Sequence, residues 1–322
     1  MPQPSPVTVA SITERFAASG FVCSPDVATS LFLAENLGKP LLLEGPPGVG
    51  KTEIAKLWAS YHDAELIRLQ CYEGLDEAKA LYEWSYGKQM LYAQLLRDKT
   101  SEVLAAAPTL EAAIAVLRGE ADGFFSRDFL LPRPLLAAIL SQRPVVLLID
   151  EVDRSDEEFE AFLLEVLSDH QVSIPELGTL KAKRPPRVVL TSNDTRELSD
   201  ALRRRCLYLY VDYPSLEDEL AIVEARVPGL SVALIDRLVR FAQSLRKADL
   251  KKSPGIAEVV DWALALVAVS ADGLSAPAKW QSQEFSFFPG WHKHVQALRV
   301  QGVQLSTSAI HNQQPKQWYI KH

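Results

Sequence analysis

Residues 39–61 read KPLLLEGPPGVGKTEIAKLWASY, and no other stretch limits the fold of this chain as strongly. Leu41 to Leu43 form a short apolar run suited to a buried strand. Gly45 to Thr52 fit GxxxxGK followed by Ser or Thr, and Ile54, Ala55, Leu57 and Trp58 continue at helical spacing. Strand, glycine-rich loop and helix in that order belong to a parallel α/β sheet whose ligand sits at the carboxyl ends of the strands. Gly45, Gly48 and Gly50 let backbone N–H groups close around phosphate, with a helix N-terminus aimed at the same charge; Pro46, Pro47 and Val49 complete the loop. In this reading the ligand is ATP, Lys51 reaches its β- and γ-phosphates, and Thr52 offers a hydroxyl to Mg²⁺. A glycine-rich turn with a chance GKT is the plainer alternative, and the flanking pattern speaks against it.

Two later segments supply what a hydrolysing site needs beyond a cradle. In RPVVLLIDEVDRSDE, Val145 to Ile149 suit a central parallel strand that ends in Asp150 and Glu151. Asp150 can hold Mg²⁺, and Glu151 can orient or deprotonate an attacking water. Taken alone, the segment could be a strand followed by an acidic helix cap, because Asp153, Ser155 and Asp156 are all good capping residues. In RPPRVVLTSNDTREL, Val188 to Leu190 form another buried-strand run, ending in Thr191, Ser192 and Asn193. Asn193 is placed to position the water or touch the γ-phosphate.

The rest of the chain sorts around these segments. Strand-like runs at Leu41–Glu44, Leu66–Cys71, Val145–Asp150, Val188–Ser192 and Leu207–Val211 alternate with helical patterns, which gives an α/β sheet with helices on both faces. Residues 72–140 exceed one crossover and read as a helical insertion, with helical patterns around Tyr86–Leu96 and Leu110–Leu117. Residues 170–187 break helix periodicity and read as a hairpin. Past Pro214, three apolar periodicities and a Ser215–Asp218 capping pair indicate an all-α unit over 214–275. The segment ALRRRCLYLYVDYP places Arg203, Arg204 and Arg205 on a helix just before the last strand, and guanidinium groups are costly to bury without a partner.

Composition removes several function classes. A net charge of −7 gives no general attraction to nucleic acid or anionic lipid, so nucleic acid is not an expected partner. Three widely spaced cysteines without metal-ligand spacing suit a reducing compartment and read as small buried apolar residues. No apolar run approaches the roughly 18 residues of a membrane span, and the N-terminus lacks a basic start and apolar core, so the expected location is the cytoplasm. The stretch 276–322 holds a single acidic residue, Glu284, but three of the six tryptophans and four of the six histidines. It reads as an atypical, poorly ordered tail, and His292 and His294 lack the carboxylate or cysteine that would complete a metal site.

The segments LLLEGPPGVGKTEIAK, LIRLQCYEGLDEAKALYEWSY, VVLLIDEVDRSDEEFEAFLLEVLSDHQVSIPELGTL, VVLTSNDTRELSDALRRRCLYLYVDYP and KSPGIAEVVDWALAL together resemble the AAA+ ATPases of the MoxR group, CoxD-like branch. The resemblance runs from about Gly20 to about Ala271. It implies a P-loop AAA+ domain over 1–213, a pre-sensor hairpin at 170–187 and a small all-α lid at 214–275 that covers the nucleotide. It also implies a ring, most simply a hexamer, that remodels a client metalloenzyme together with a von Willebrand factor A domain protein. The CoxD-like branch points to a molybdenum hydroxylase such as carbon monoxide dehydrogenase. The family pattern puts an arginine finger, acting on the neighbouring subunit's γ-phosphate, at Arg205, with Arg204 beside it. Relatives carry a lid arginine near the position of Pro254, where this chain has Gly255 next; Lys251 or Lys252 could substitute. Two other classes compete: a P-loop kinase acting on a small metabolite, and a non-hydrolysing nucleotide switch.

Overall fold

A computed structural model describes residues 7–92, 94, 109, 126–175, 177–247 and 253–271. The chain divides into two compact units, 1–212 and 213–322.

The first unit is built on a five-stranded parallel sheet. Its strands are β1 (Leu41–Glu44), β2 (Glu65–Gln70), β5 (Val145–Asp150), β8 (Arg187–Ser192) and β9 (Leu207–Tyr210), in the order β2-β5-β8-β1-β9. Alternation along the strands feeds two separate cores, one on each face. Leu42, Val145, Leu147, Ile149, Val188 and Leu190 join one cluster, and Leu41, Leu43, Val146, Leu148 and Val189 join the other. All six residues of β5 are buried, as the continuous apolar run requires of a strand covered on both sides.

Helices α1 (Val9–Ala18), α2 (Pro25–Leu37) and α3 (Lys51–Tyr61) supply Ile12, Phe16, Leu31, Ile54 and Trp58 to the second cluster. The ends of α2 follow from local sequence: Ser24 caps Val27 N–H, Pro25 stands at the first helical position, and Gly38 takes the left-handed conformation at φ 61°. On the other face lie α4 (Glu77–Leu81), α5 (Pro134–Leu140) and α6 (Glu157–Asp169). Asp156 caps α6 by accepting from Phe159 N–H at 2.8 Å, and Glu157, Glu158 and Glu160 complement the dipole of its first turn.

The stretch 72–140 differs from the helical pattern expected of it. Tyr82–Trp84 (β3) pairs antiparallel with Leu130–Pro132 (β4), so a short two-stranded ribbon closes the excursion, while α5 packs its buried face against β2 and β5. Residues 86–92 are helical; the expected helix at Leu110–Leu117 lies outside the described residues. β6 (Gln171–Ile174) and β7 (Gly178–Lys181) pair antiparallel as a hairpin between α6 and β8. The short helix α7 (Asp200–Arg205) leads into β9 at the sheet edge.

The second unit, taken by itself, packs α8 (Leu216–Arg226), α9 (Val232–Lys247) and α10 (Ile256–Ala271) around Val223, Leu238, Val239, Val259 and Trp262. Ser215 caps α8 by accepting from Asp218 N–H, and its hydroxyl donates to the Asp218 carboxylate. Buried Glu219 receives both Arg246 guanidinium nitrogens at 2.7 Å, a pair whose breakage would strand a charge at a cost of about 3–5 kcal/mol. Lys251, Lys252 and the stretch 276–322, with His292 and His294, lie outside the described residues. Cys23, Cys71 and Cys206 are free thiols, and burial raises all three, the last two to about 12. Among the described residues, no helix is long and apolar enough to cross a membrane.

Candidate functional site

The loop between β1 and α3 turns on three glycines with positive φ, at 151°, 78° and 101° for Gly45, Gly48 and Gly50. At Gly45 the reason is contact as well as torsion: a Cβ there would stand 2.1 Å from the carbonyl oxygen of Val211, just past β9. Any side chain at this position would push the loop off the sheet. Gly50 begins α3 with no side chain capping the first turn, so the helix N-terminus faces the loop through backbone N–H groups.

Lys51 is buried, and its ammonium donates to the carbonyl oxygens of Gly45 at 2.6 Å and Pro46 at 2.7 Å. Burial pulls its pKa down to about 8, against the upward pull of Asp153, Asp150, Glu151 and Glu44. A cation held this way gains from any anion that enters the loop.

Asp150, at the carboxyl end of β5, gathers three donors. Thr191 Oγ1 donates to its Oδ1 at 2.5 Å, Arg68 Nη2 donates to its Oδ2 at 2.5 Å, and Thr52 Oγ1 stands 3.3 and 3.4 Å from the two oxygens. Arg68 is exposed on β2 and also donates to Gln70 Oε1. The Thr52 hydroxyl and the Asp150 carboxylate are hard oxygen donors side by side, which fits Mg²⁺; neighbouring Glu151 and Asp153 add negative charge.

Glu151 sits in the left-handed conformation at φ 57° and donates its own N–H to Thr191 Oγ1 at 2.9 Å. Strain of this kind in a non-glycine residue persists where the surroundings fix it, and here they aim the carboxylate. Its Oε1 accepts from Asn193 Nδ2 at 3.3 Å, and its Oε2 accepts from Gln70 Nε2 and Arg154 Nη1, both at 3.0 Å. Asp153 is buried too: Oδ2 accepts from Thr195 N–H at 3.0 Å and Thr195 Oγ1 at 2.6 Å, while Oδ1 has no hydrogen-bond partner among the described residues. This ties the loop after Asn193 to the loop after Glu151. Such an orphaned buried oxygen costs about 1–3 kcal/mol and is a place for a water or a ligand donor.

The structure therefore brings Lys51, Thr52, Asp150, Glu151 and Asn193 to one edge of the sheet. Arg204 and Arg205 do not join them. Arg204 is 82% exposed and 3.7 Å from Asp200, and Arg205 is exposed with Nε donating to Ser168 Oγ at 2.9 Å. Arg203 lies 3.9 Å from both Glu44 and Glu197 and stacks on Tyr208. Sequence reasoning missed Arg68, Gln70, Thr195 and the role of Asp153. The one signal for Arg68 and Gln70 is polar residues alternating in an otherwise apolar strand, since β2 presents both on the face of Asp150.

The family profile described as AAA domain, dynein-related subfamily, matches residues 40–206. Gas vesicle ATPase GvpN1 of Halobacterium salinarum is 23% identical over 224 residues, which cover 66% of this chain. The chain spans 58% of the length of that curated relative. Among solved structures, the RuvB Holliday junction branch migration motor of Thermotoga maritima is 16% identical with a TM-score of 0.36, covering 77% of this chain and 69% of that one. A point mutant of the same RuvB gives a TM-score of 0.39 at 16% identity, covering 83% of this chain and 72% of that one.

Proposed function

The chain belongs to the AAA ATPases, dynein-related subfamily, and from that premise we propose that it is an ATP-driven remodelling ATPase of MoxR type. The observation that carries this reading is the meeting of Thr52 Oγ1 with the Asp150 carboxylate at 3.3 Å, beside buried Lys51 and the aimed carboxylate of Glu151. Each group has a task. Gly45 to Thr52 close around the phosphates, and Lys51 leaves the carbonyls of Gly45 and Pro46 for phosphate oxygens. Thr52 and Asp150 would hold Mg²⁺, which when bound offsets charge on the phosphates. Glu151 takes the proton of the attacking water, and Asn193, bonded to Glu151, holds that water and the carboxylate in register.

Arg205, with Arg204 beside it, acts on the site of a neighbouring subunit. Its exposure and its tether to Ser168 support this, because no acid among the described residues claims the guanidinium. Subunits accordingly form a ring, a hexamer in this reading. The finer part of the proposal rests on the CoxD-like resemblance: a von Willebrand factor A domain partner and a client metalloenzyme, a molybdenum hydroxylase such as carbon monoxide dehydrogenase. Residues 72–140 and the hairpin at 170–187 are the surfaces proposed to face these partners.

The test is ATP hydrolysis by the purified chain and by Glu151→Gln, with mass measured with and without nucleotide. Turnover that depends on protein concentration and is lost in the variant supports the proposal. A monomer that transfers phosphate to a metabolite overturns it.

A further inference from the structure

Two buried carboxylates follow Glu151 in the chain, and both hold the segment that leaves β8. Asp153 is 3% exposed and Glu160 0%. Asp153 Oδ2 accepts the Thr195 N–H at 3.0 Å and the Thr195 hydroxyl at 2.6 Å. Glu160 Oε2 accepts the Ser199 N–H at 2.9 Å, and its Oε1 accepts from Arg196, which also donates to the Ser155 carbonyl at 2.8 Å. Residues 195–199 are thereby fastened at both ends to the stretch 153–160.

The near end bears on the chemistry. Thr195 lies two residues past Asn193, and Asp153 lies two residues past Glu151. The two segments therefore meet twice, once at Asn193 Nδ2 with Glu151 Oε1 at 3.3 Å and once at Thr195 with Asp153. These contacts differ in strength. An N–H···O bond is commonly about 2.9–3.0 Å, so the first is long and does not fix the amide by itself. The second is double, and its O–H···O⁻ member is short.

Both segments also turn through a left-handed residue, Glu151 at φ 57° and Asp194 at φ 58°. Outside glycine such a conformation lasts where neighbours hold it. The Asp194 N–H donates to Ser192 Oγ at 3.0 Å, which closes the turn on the side of β8, and Asp153 closes it on the side of Thr195. Stability alone does not ask for a carboxylate at position 153. It leaves Oδ1 buried with no hydrogen-bond partner among the described residues, a cost of about 1–3 kcal/mol, and Glu160 already secures the far end.

We propose that Asp153 is a positioning residue for ATP hydrolysis: by holding Thr195 it sets the Asn193 amide against the Glu151 carboxylate, so that both groups meet one water. The inference rests on the tasks proposed for Glu151 and Asn193. Thr195 is exposed, so Thr195→Val removes the hydroxyl without disturbing the core and leaves Asp153 in place. It should lower kcat by about tenfold while affinity for a fluorescent ATP analogue stays within about twofold of wild type, since small misplacement slows chemistry more than binding. Thr195→Ser keeps the hydroxyl and should stay within about twofold in both. Asp153→Ala, with both bonds lost, should lower kcat by about 10²-fold; if it does not fold, Thr195→Val carries the test. The decisive background is Asn193→Ala. If Thr195 acts through Asn193, adding Thr195→Val there lowers the residual kcat by less than about twofold. With Glu151→Gln and Asn193→Ala both slow, the assignment is overturned by unchanged kcat in Thr195→Val, by an equal loss in Thr195→Ser, by a loss confined to affinity, or by the full further loss in the Asn193→Ala background. If Glu151→Gln or Asn193→Ala turns over ATP as wild type does, the proposed site itself fails, and the role of Asp153 with it.

Discussion

Two groups of charges in this molecule are treated in opposite ways. At the carboxyl edge of the sheet, Lys51, Asp150 and Asp153 are buried, and each is held by its own chain: Lys51 by two carbonyls, Asp150 by Thr191 and Arg68, Asp153 by Thr195. On α7, a few residues before the edge strand β9, Arg204 and Arg205 stand in solvent with a distant acid and a serine as their partners. Buried charge must be shared within the chain or it destabilises the fold; exposed charge carries no such demand. On the proposed function, the first group is machinery complete within one subunit and the second a contribution to another.

That contrast can be broken by substitution. The largest effect is expected at Arg205. Arg205→Ala should lower turnover by about 10³-fold while nucleotide affinity, measured with a fluorescent ATP analogue, stays near wild type. Normal turnover would reduce the arginines of α7 to surface charge. Glu151→Gln should lower turnover by about 10²-fold or more, again with binding kept, because the amide holds its neighbours but takes no proton.

The buried group has a pH signature. Lys51 titrates near pH 8 in the free protein, and phosphate beside it favours the protonated form. Nucleotide affinity should be flat below pH 8 and then fall by up to about tenfold per pH unit above it. The sign for stability is opposite: burial makes the charged form the unfavourable one, so the penalty of Lys51 is fully present below pH 8 and fades as pH rises from 8 toward 10.5. Nucleotide titrations from pH 7 to 9.5 check the first statement, and a flat profile would place Lys51 outside the phosphate site. The smallest effect is expected for Arg204→Ala, within about twofold in turnover, since its guanidinium is solvated and only loosely paired with Asp200 at 3.7 Å.

How far the sequence reveals this arrangement depends on the range of the interaction. β1, the glycine loop and α3 are adjacent in the chain, so one window contains strand run, glycine spacing and helical period together. Val145 to Glu151 was legible for the same reason, as an unbroken apolar run with acids at its end. Arg68 and Gln70 were not, because what makes them matter is pairing of β2 beside β5, a contact between residues 82 positions apart for Arg68 and Asp150. Asp153 looked like a capping residue; its burial under Thr195 comes from the fold of two loops. The β3–β4 ribbon was missed because three-residue strands show no period, and their partners are separated by the segment around 93–125.

The most direct test of the contrast mixes two inactive proteins. Arg205→Ala retains its own Glu151, and Glu151→Gln retains its own Arg205. If the arginine serves the neighbouring subunit, sites formed by one of each regain turnover, and an equal mixture that exchanges subunits should recover up to about a quarter of wild-type ATP hydrolysis. A mixture that remains as inactive as either protein alone contradicts the account.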